Sequence, residues 1–76
     1  MIITLNTIYR LSNGGSALIT AIDAPDGDTP ETMRFGAKLY SPEKDKTGKA
    51  SVVGNAFFDS DGVCTTEPDL RLTEVL

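Results

Sequence analysis

Turn residues interrupt this chain so often that only short strands fit between them. Ser12-Asn13-Gly14-Gly15, Gly54-Asn55 and Asp59-Ser60-Asp61-Gly62 punctuate the sequence, and no stretch of about 11 residues or more keeps a helical apolar period. Alternating runs of about four to eight residues, the length of ordinary strands, lie between the turns. Thr7-Ile8-Tyr9-Arg10-Leu11 alternates, with Ile8 and Arg10 on one face and Tyr9 and Leu11 on the other. Asn and Gly accept the positive φ of a tight turn, so Ser12-Asn13-Gly14-Gly15 predicts a hairpin over residues 7–22 with Ser16–Ile22 as its return strand.

Residues 23–31 read as an acidic, proline-containing loop. Thr32–Tyr40 alternates again, placing Met33, Phe35, Ala37 and Leu39 on one face, with Gly36 marking a bulge or a close crossing. One short helical turn fits at residues 29–34, with Thr29 as N-cap and Pro30 as the first helical residue. Residues 41–50 read as a second polar loop. Ser51-Val52-Val53 and Ala56-Phe57-Phe58 read as two strand pieces separated by Gly54-Asn55, followed by strands at residues 63–66 and 70–75. Five or six short strands with turns every 8–12 residues or so predict an all-β domain, a small SH3-like barrel that is closed or nearly so, spanning residues 1–76.

A chain of 76 residues buries only about 60% of its unfolded surface, so its stability is small. Cys64 is the only cysteine and there is no histidine, which excludes an internal disulfide and disfavours a structural zinc. Self-association is the remaining supplement, and a homo-oligomer is expected. The lone thiol, the absence of a signal-like N-terminus and apolar runs far short of a membrane span predict a cytoplasmic protein with no membrane partner. Seven cationic side chains against eleven carboxylates give a formal charge of −4, which argues against direct nucleic-acid binding.

Catalytic templates are missing. Without histidine there is no Ser-His-Asp or Cys-His pair, and Cys64 reads as a small core hydrophobe. Gly48-Lys49 lacks both the earlier glycine, where Glu43 stands, and the following hydroxyl, where Ala50 stands, so it is a turn and not a phosphate loop. Asp26-Gly27-Asp28 and Asp59-Ser60-Asp61-Gly62 lack the ligand spacing of a calcium loop. The expectation is a non-enzyme without a cofactor. The candidate binding residues are aromatics and arginines carried on strands. Tyr9, Tyr40 and one of Phe57 or Phe58 are expected on the face opposite Met33, Phe35 and Leu39, where they could stack a base. Arg10, Arg34 and Arg71 could neutralise phosphates if they converge on one concave patch. The candidate ligand site is therefore Tyr9, Arg10, Arg34, Tyr40, Phe58 and Arg71.

An ordered series runs from Tyr9-Arg10-Leu11-Ser12-Asn13-Gly14-Gly15-Ser16-Ala17 through Phe35-Gly36 and Phe58-Asp59-Ser60-Asp61-Gly62 to Asp69-Leu70. It resembles a group of small phage and prophage accessory proteins with SH3-like barrels, over about residues 7–72. Where that pattern carries Trp before the second glycine turn, this chain carries Phe57 and Phe58. The resemblance implies a phage origin and an accessory role in the host cell, countering host immunity. One form of that role is sequestration of a small nucleotide signal in pockets of a homo-oligomer. The alternative is an acidic module that blocks a basic or nucleic-acid-binding host protein, and the charge of −4 suits this second form.

Overall fold

A computed structural model describes residues 2–23 and 33–76. It is all-β, with five antiparallel strands in one sheet: β1 (Ile8–Leu11), β2 (Ser16–Asp23), β3 (Arg34–Lys44), β4 (Ala50–Phe58) and β5 (Leu72–Val75). Their order across the sheet is β4-β3-β2-β1-β5. No helix occurs among the described residues, and none there is long and apolar enough to cross a membrane. The acidic loop after Asp23 and residues 29–32 of the expected helical turn lie outside the described residues. Arg34, the end of that expected turn, instead opens β3.

The first hairpin forms where the turn residues place it. Leu11 N donates to Gly15 O at 2.8 Å, Gly14 N to Leu11 O at 3.0 Å and Gly15 N to Asn13 Oδ1 at 2.8 Å. Ile8 pairs with Leu18, Tyr9 with Ala17 and Arg10 with Ser16. Tyr9 and Leu11 are buried while Ile8 and Arg10 are exposed, as the alternation predicts.

Several segments differ from their sequence reading. The polar stretch 41–50 is a β-ribbon and not a loop: β3 continues to Lys44 and β4 starts at Ala50. β2 pairs no further along β3 than Tyr40, so the two strands run on beyond the sheet as an arm. The molecule accordingly measures 44 × 22 × 19 Å. A ribbon wet on both faces needs no apolar alternation, which is why its charges looked like a loop. Its register comes from the turn. The Asp45 carboxylate accepts Thr47 N at 2.8 Å, Thr47 Oγ1 at 2.6 Å and Lys49 N at 3.0 Å, and Gly48 takes a φ of 85°.

The second difference is Gly54-Asn55, which bends β4 without breaking it. The pairing steps from Leu39↔Gly54 to Tyr40↔Val52, leaving Val53 as the extra residue of a β-bulge.

The Thr47 hydroxyl, followed by the Lys49 and Thr47 amides, holds the Asp45 carboxyl below the ordinary aspartate value of 3.8. A depressed folded-state pKa stabilises the fold above the unfolded value, and that contribution is lost as pH falls through the folded value. Carboxyl NMR titration is therefore expected to give Asp45 a midpoint below 3.8, and Thr47→Val is expected to move it up. An unmoved midpoint in that variant would contradict the turn geometry.

The core lies on one face of the sheet. Cross-strand rows place Tyr9 beside Ala17 and Leu39, Ile19 beside Ala37 and Ala56, and Phe35 beside Phe58. Leu11, Leu72, Leu70, Cys64 and Ile3 complete the cluster. Among the described residues no second sheet or helix covers this face, which is closed in part by Ile3, Cys64 and Leu70 from outside the strands. The ladder stays open, which settles the expectation of a barrel closed or nearly so in favour of the open form. β4 and β5 are not paired to each other, and the expected strand at residues 63–66 is reduced to the bridges Phe58↔Cys64 and Val63↔Arg71. Pro68 helps explain the interruption, because it has no backbone donor and sits in the turn closed by Leu70 N and Glu67 O at 2.9 Å.

Candidate functional site

The six residues singled out in the sequence do not form one site. Tyr9 and Phe58 belong to the core, with 1% and 0% exposure, which corrects the expectation that Tyr9 faces away from Phe35 and removes Phe58 from the candidate ligand site, leaving Phe57 as the outward ring of its pair. The reason lies in register. In an antiparallel ladder directly opposed residues share a face, and Tyr9 opposes Ala17, which opposes Leu39, while Phe58 opposes Phe35. The Tyr9 hydroxyl is occupied as well. It accepts Thr4 N at 2.9 Å and donates to Ile2 O at 3.3 Å, tying the segment before β1 over the core. Phe57, one residue from Phe58, is the exposed member of that pair, and its ring lies over Gly36.

Arg10 and Tyr40 do share the outer face, in the row Glu74, Arg10, Ser16, Tyr40, Val52. Two strand spacings of about 4.8 Å separate the backbones of Arg10 and Tyr40. Arg10 Nε donates to Glu74 Oε1 at 2.7 Å, an exposed ion pair. Arg34 lies six residues down β3 from Tyr40, about 20 Å at strand rise. It is partly buried, stands opposite Asp23, and donates from Nη1 to Met33 O at 2.9 Å. Arg71 is at the far edge, where its amide donates to Ser12 Oγ at 3.0 Å. The three arginines thus occupy three separate places.

A different feature is concave. The first hairpin turn and the turn before β5 enclose an open cleft of about 260 Å³, lined by Ser12, Asn13, Glu67, Asp69 and Leu70. The two turns are fastened to each other. Ser12 Oγ donates to Asp69 O at 2.9 Å, and Ser12 N donates to Arg71 O at 2.9 Å. Leu70, 9% exposed, forms the apolar floor. Glu67 and Asp69 are exposed, and the lining includes no lysine or arginine. Such a lining favours a cation over a phosphate. The volume falls below the roughly 300–1,000 Å³ of small-molecule sites and suits a single long side chain. The sequence marks this region as an acidic loop over residues 59–67 suited to a basic partner, without showing a cleft. The signal available was proline at the second position of a turn that presents a carboxylate on either side.

The other acidic turn is self-contained. Asp59 Oδ1 accepts Asp61 N at 2.9 Å and Val63 N at 3.0 Å, which is turn chemistry. Among the described residues no group of three or more Cys, Asp or Glu is placed to hold a metal ion.

Comparison with protein-family models, with curated proteins and with solved structures finds no match to this chain.

Proposed function

We propose that this chain is a non-catalytic interaction module that receives a lysine or arginine side chain of a basic protein partner in the cleft between the two turns. The observation that carries the reading is the cleft lining, two carboxylates above an apolar floor with no competing cation. The formal charge of −4 adds a favourable long-range field for a basic partner. In the phage setting that the resemblance implies, the partner is a host protein whose basic surface ordinarily meets nucleic acid. Sequestration of a nucleotide signal gains less support. Tyr9 and Phe58 are unavailable for stacking and Arg10 is paired with Glu74, so such a pocket requires residues from more than one chain.

The test is an amide NMR titration with a short arginine-rich peptide at low salt. Saturable shifts are expected at Ser12, Asn13, Asp69 and Leu70. Converting Glu67→Gln and Asp69→Asn together is expected to weaken binding about tenfold or more, the loss of a charge-assisted contact. Shifts spread evenly over the acidic surface, or an affinity unchanged in the double variant, would remove the cleft from consideration.

A further inference from the structure

We propose that the outer face of the β3–β4 hairpin, together with its arm, binds single-stranded nucleic acid. The charge of −4 argues against such a ligand for the chain as a whole, but that charge is unevenly spread. Residues 34–58 carry five of the seven cationic side chains and only Glu43 and Asp45 of the eleven carboxylates, a local charge of +3 that leaves −7 for the rest. Phosphates respond to cations clustered near them more than to the sum over the molecule. Lys38, Lys44, Lys46 and Lys49 are exposed, and among the described residues none of the four lies in an ion pair. The Asp45 carboxylate, by contrast, is turned in on the Thr47 and Lys49 amides.

The same hairpin holds an aromatic platform. Phe57 opposes Gly36, while Lys38 opposes Leu18 on one side and Asn55 on the other, so Phe57, Lys38 and Asn55 share the outer face with Tyr40. Gly36 gives the Phe57 ring its seat, since a Cβ there would stand 3.4 Å from Phe57 Cε1. The sheet thus braces the ring from below while the residue stays 51% exposed. An unpaired base stacks on such a ring whatever its identity. Tyr40, half-buried, offers a second ring two rows along, at about 13 Å. The row between them holds Lys38 and Asn55.

Charge sets the direction of the track. Beyond Phe57 come Asp59 and Asp61, which repel phosphate, whereas beyond Tyr40 the arm carries Lys44, Lys46 and Lys49. A bound strand therefore ends with a base on Phe57 and runs over Lys38 toward the arm tip. The rings favour this ligand over an acidic peptide, which would meet the lysines but has no bases to stack. The track needs nothing from the cleft between the turns, so either site can fail alone.

Fluorescence anisotropy of labelled oligo-dT and oligo-U of about ten nucleotides, titrated with the full chain at about 20 mM salt, tests it. Saturable binding of at least one is expected, and the tighter one shows whether DNA or RNA is the better fit. Contact with about two to four phosphates predicts that log K falls with log salt at a slope of about −1.5 to −3. Phe57→Ala, with its fold checked by far-ultraviolet circular dichroism, is expected to weaken binding about tenfold, and Phe57→Tyr to retain it. Lys46→Ala combined with Lys49→Ala is expected to flatten the salt slope by about 1. No saturable binding to either oligonucleotide, or an affinity that Phe57→Ala leaves unchanged, would overturn the proposal. A polyglutamate peptide bound as tightly as the oligonucleotides would also overturn it and assign the arm to an acidic protein.

Discussion

Phe58→Ala is expected to leave much of the protein unfolded at room temperature. Phe58 is completely buried, opposite Phe35 at the end of β4 where the sheet turns toward Cys64. Truncating a buried phenylalanine costs about 3–5 kcal/mol, because lost transfer energy and an unfilled cavity add. A chain of this length has roughly 4–11 kcal/mol in all, and small domains sit toward the lower end. The neighbour provides the control. Phe57 is 51% exposed, with its ring over Gly36 on the outer side, so Phe57→Ala should cost about 1 kcal/mol or less. Urea denaturation followed by circular dichroism separates the two. A one-residue slip of β4 would exchange the two rings. Equal or reversed costs would therefore mean that the β3–β4 register described here is wrong.

Gly15→Ala should be the next most damaging change. A Cβ there would stand 2.4 Å from Tyr40 O and 3.1 Å from Asn13 Oδ1. Tyr40 O is backbone, in a strand paired on both sides, so it cannot swing away as a side chain would. Relief requires β3 to move off the first hairpin, at about 1–3 kcal/mol for forced overpacking and at the upper end when backbone is displaced. Gly48→Ala is the informative comparison. Its φ is 85°, which costs a side-chain-bearing residue about 1–2 kcal/mol, but nothing lies within 4 Å. That cost falls on the arm tip, away from the core. Gly15→Ala is expected to lower the global urea midpoint, whereas Gly48→Ala is expected to loosen hydrogen-exchange protection only around residues 44–50. Similar global effects from both would argue against the close approach at Gly15.

Local patterns were enough to read the hairpin at residues 7–22 and the shared face of Met33, Phe35, Ala37 and Leu39. Each follows from alternation beside a glycine-rich turn. Alternation says which residues share a face within one strand, but not which face of the next strand it joins. Alternation groups Tyr9 with Leu11 but leaves their side of the sheet undetermined, and only the pairing Tyr9↔Ala17↔Leu39 places them in the core. The same ambiguity left Phe57 and Phe58 interchangeable. The cleft was legible only as acidic loop composition. Its shape depends on Ser12 reaching Asp69 across 57 positions of sequence, a contact that no local pattern encodes. The arm was hidden for the opposite reason, since a solvated ribbon carries no apolar signature.

The strand order also has a temporal consequence. β1 through β4 are each joined to their neighbour by a connection in sequence order, but β5 returns to β1 across the whole chain, with Arg10 and Glu74 separated by 64 positions. During synthesis the first four strands emerge while the far side of β1 still has no partner. At about 5–20 residues per second, β5 follows Phe58 only after roughly one to three seconds. Until Leu70 and Leu72 arrive, Leu11 and the ring of Tyr9 lie beside an unfilled place. The first four strands therefore wait with their core incomplete until β5 is made and pairs with β1.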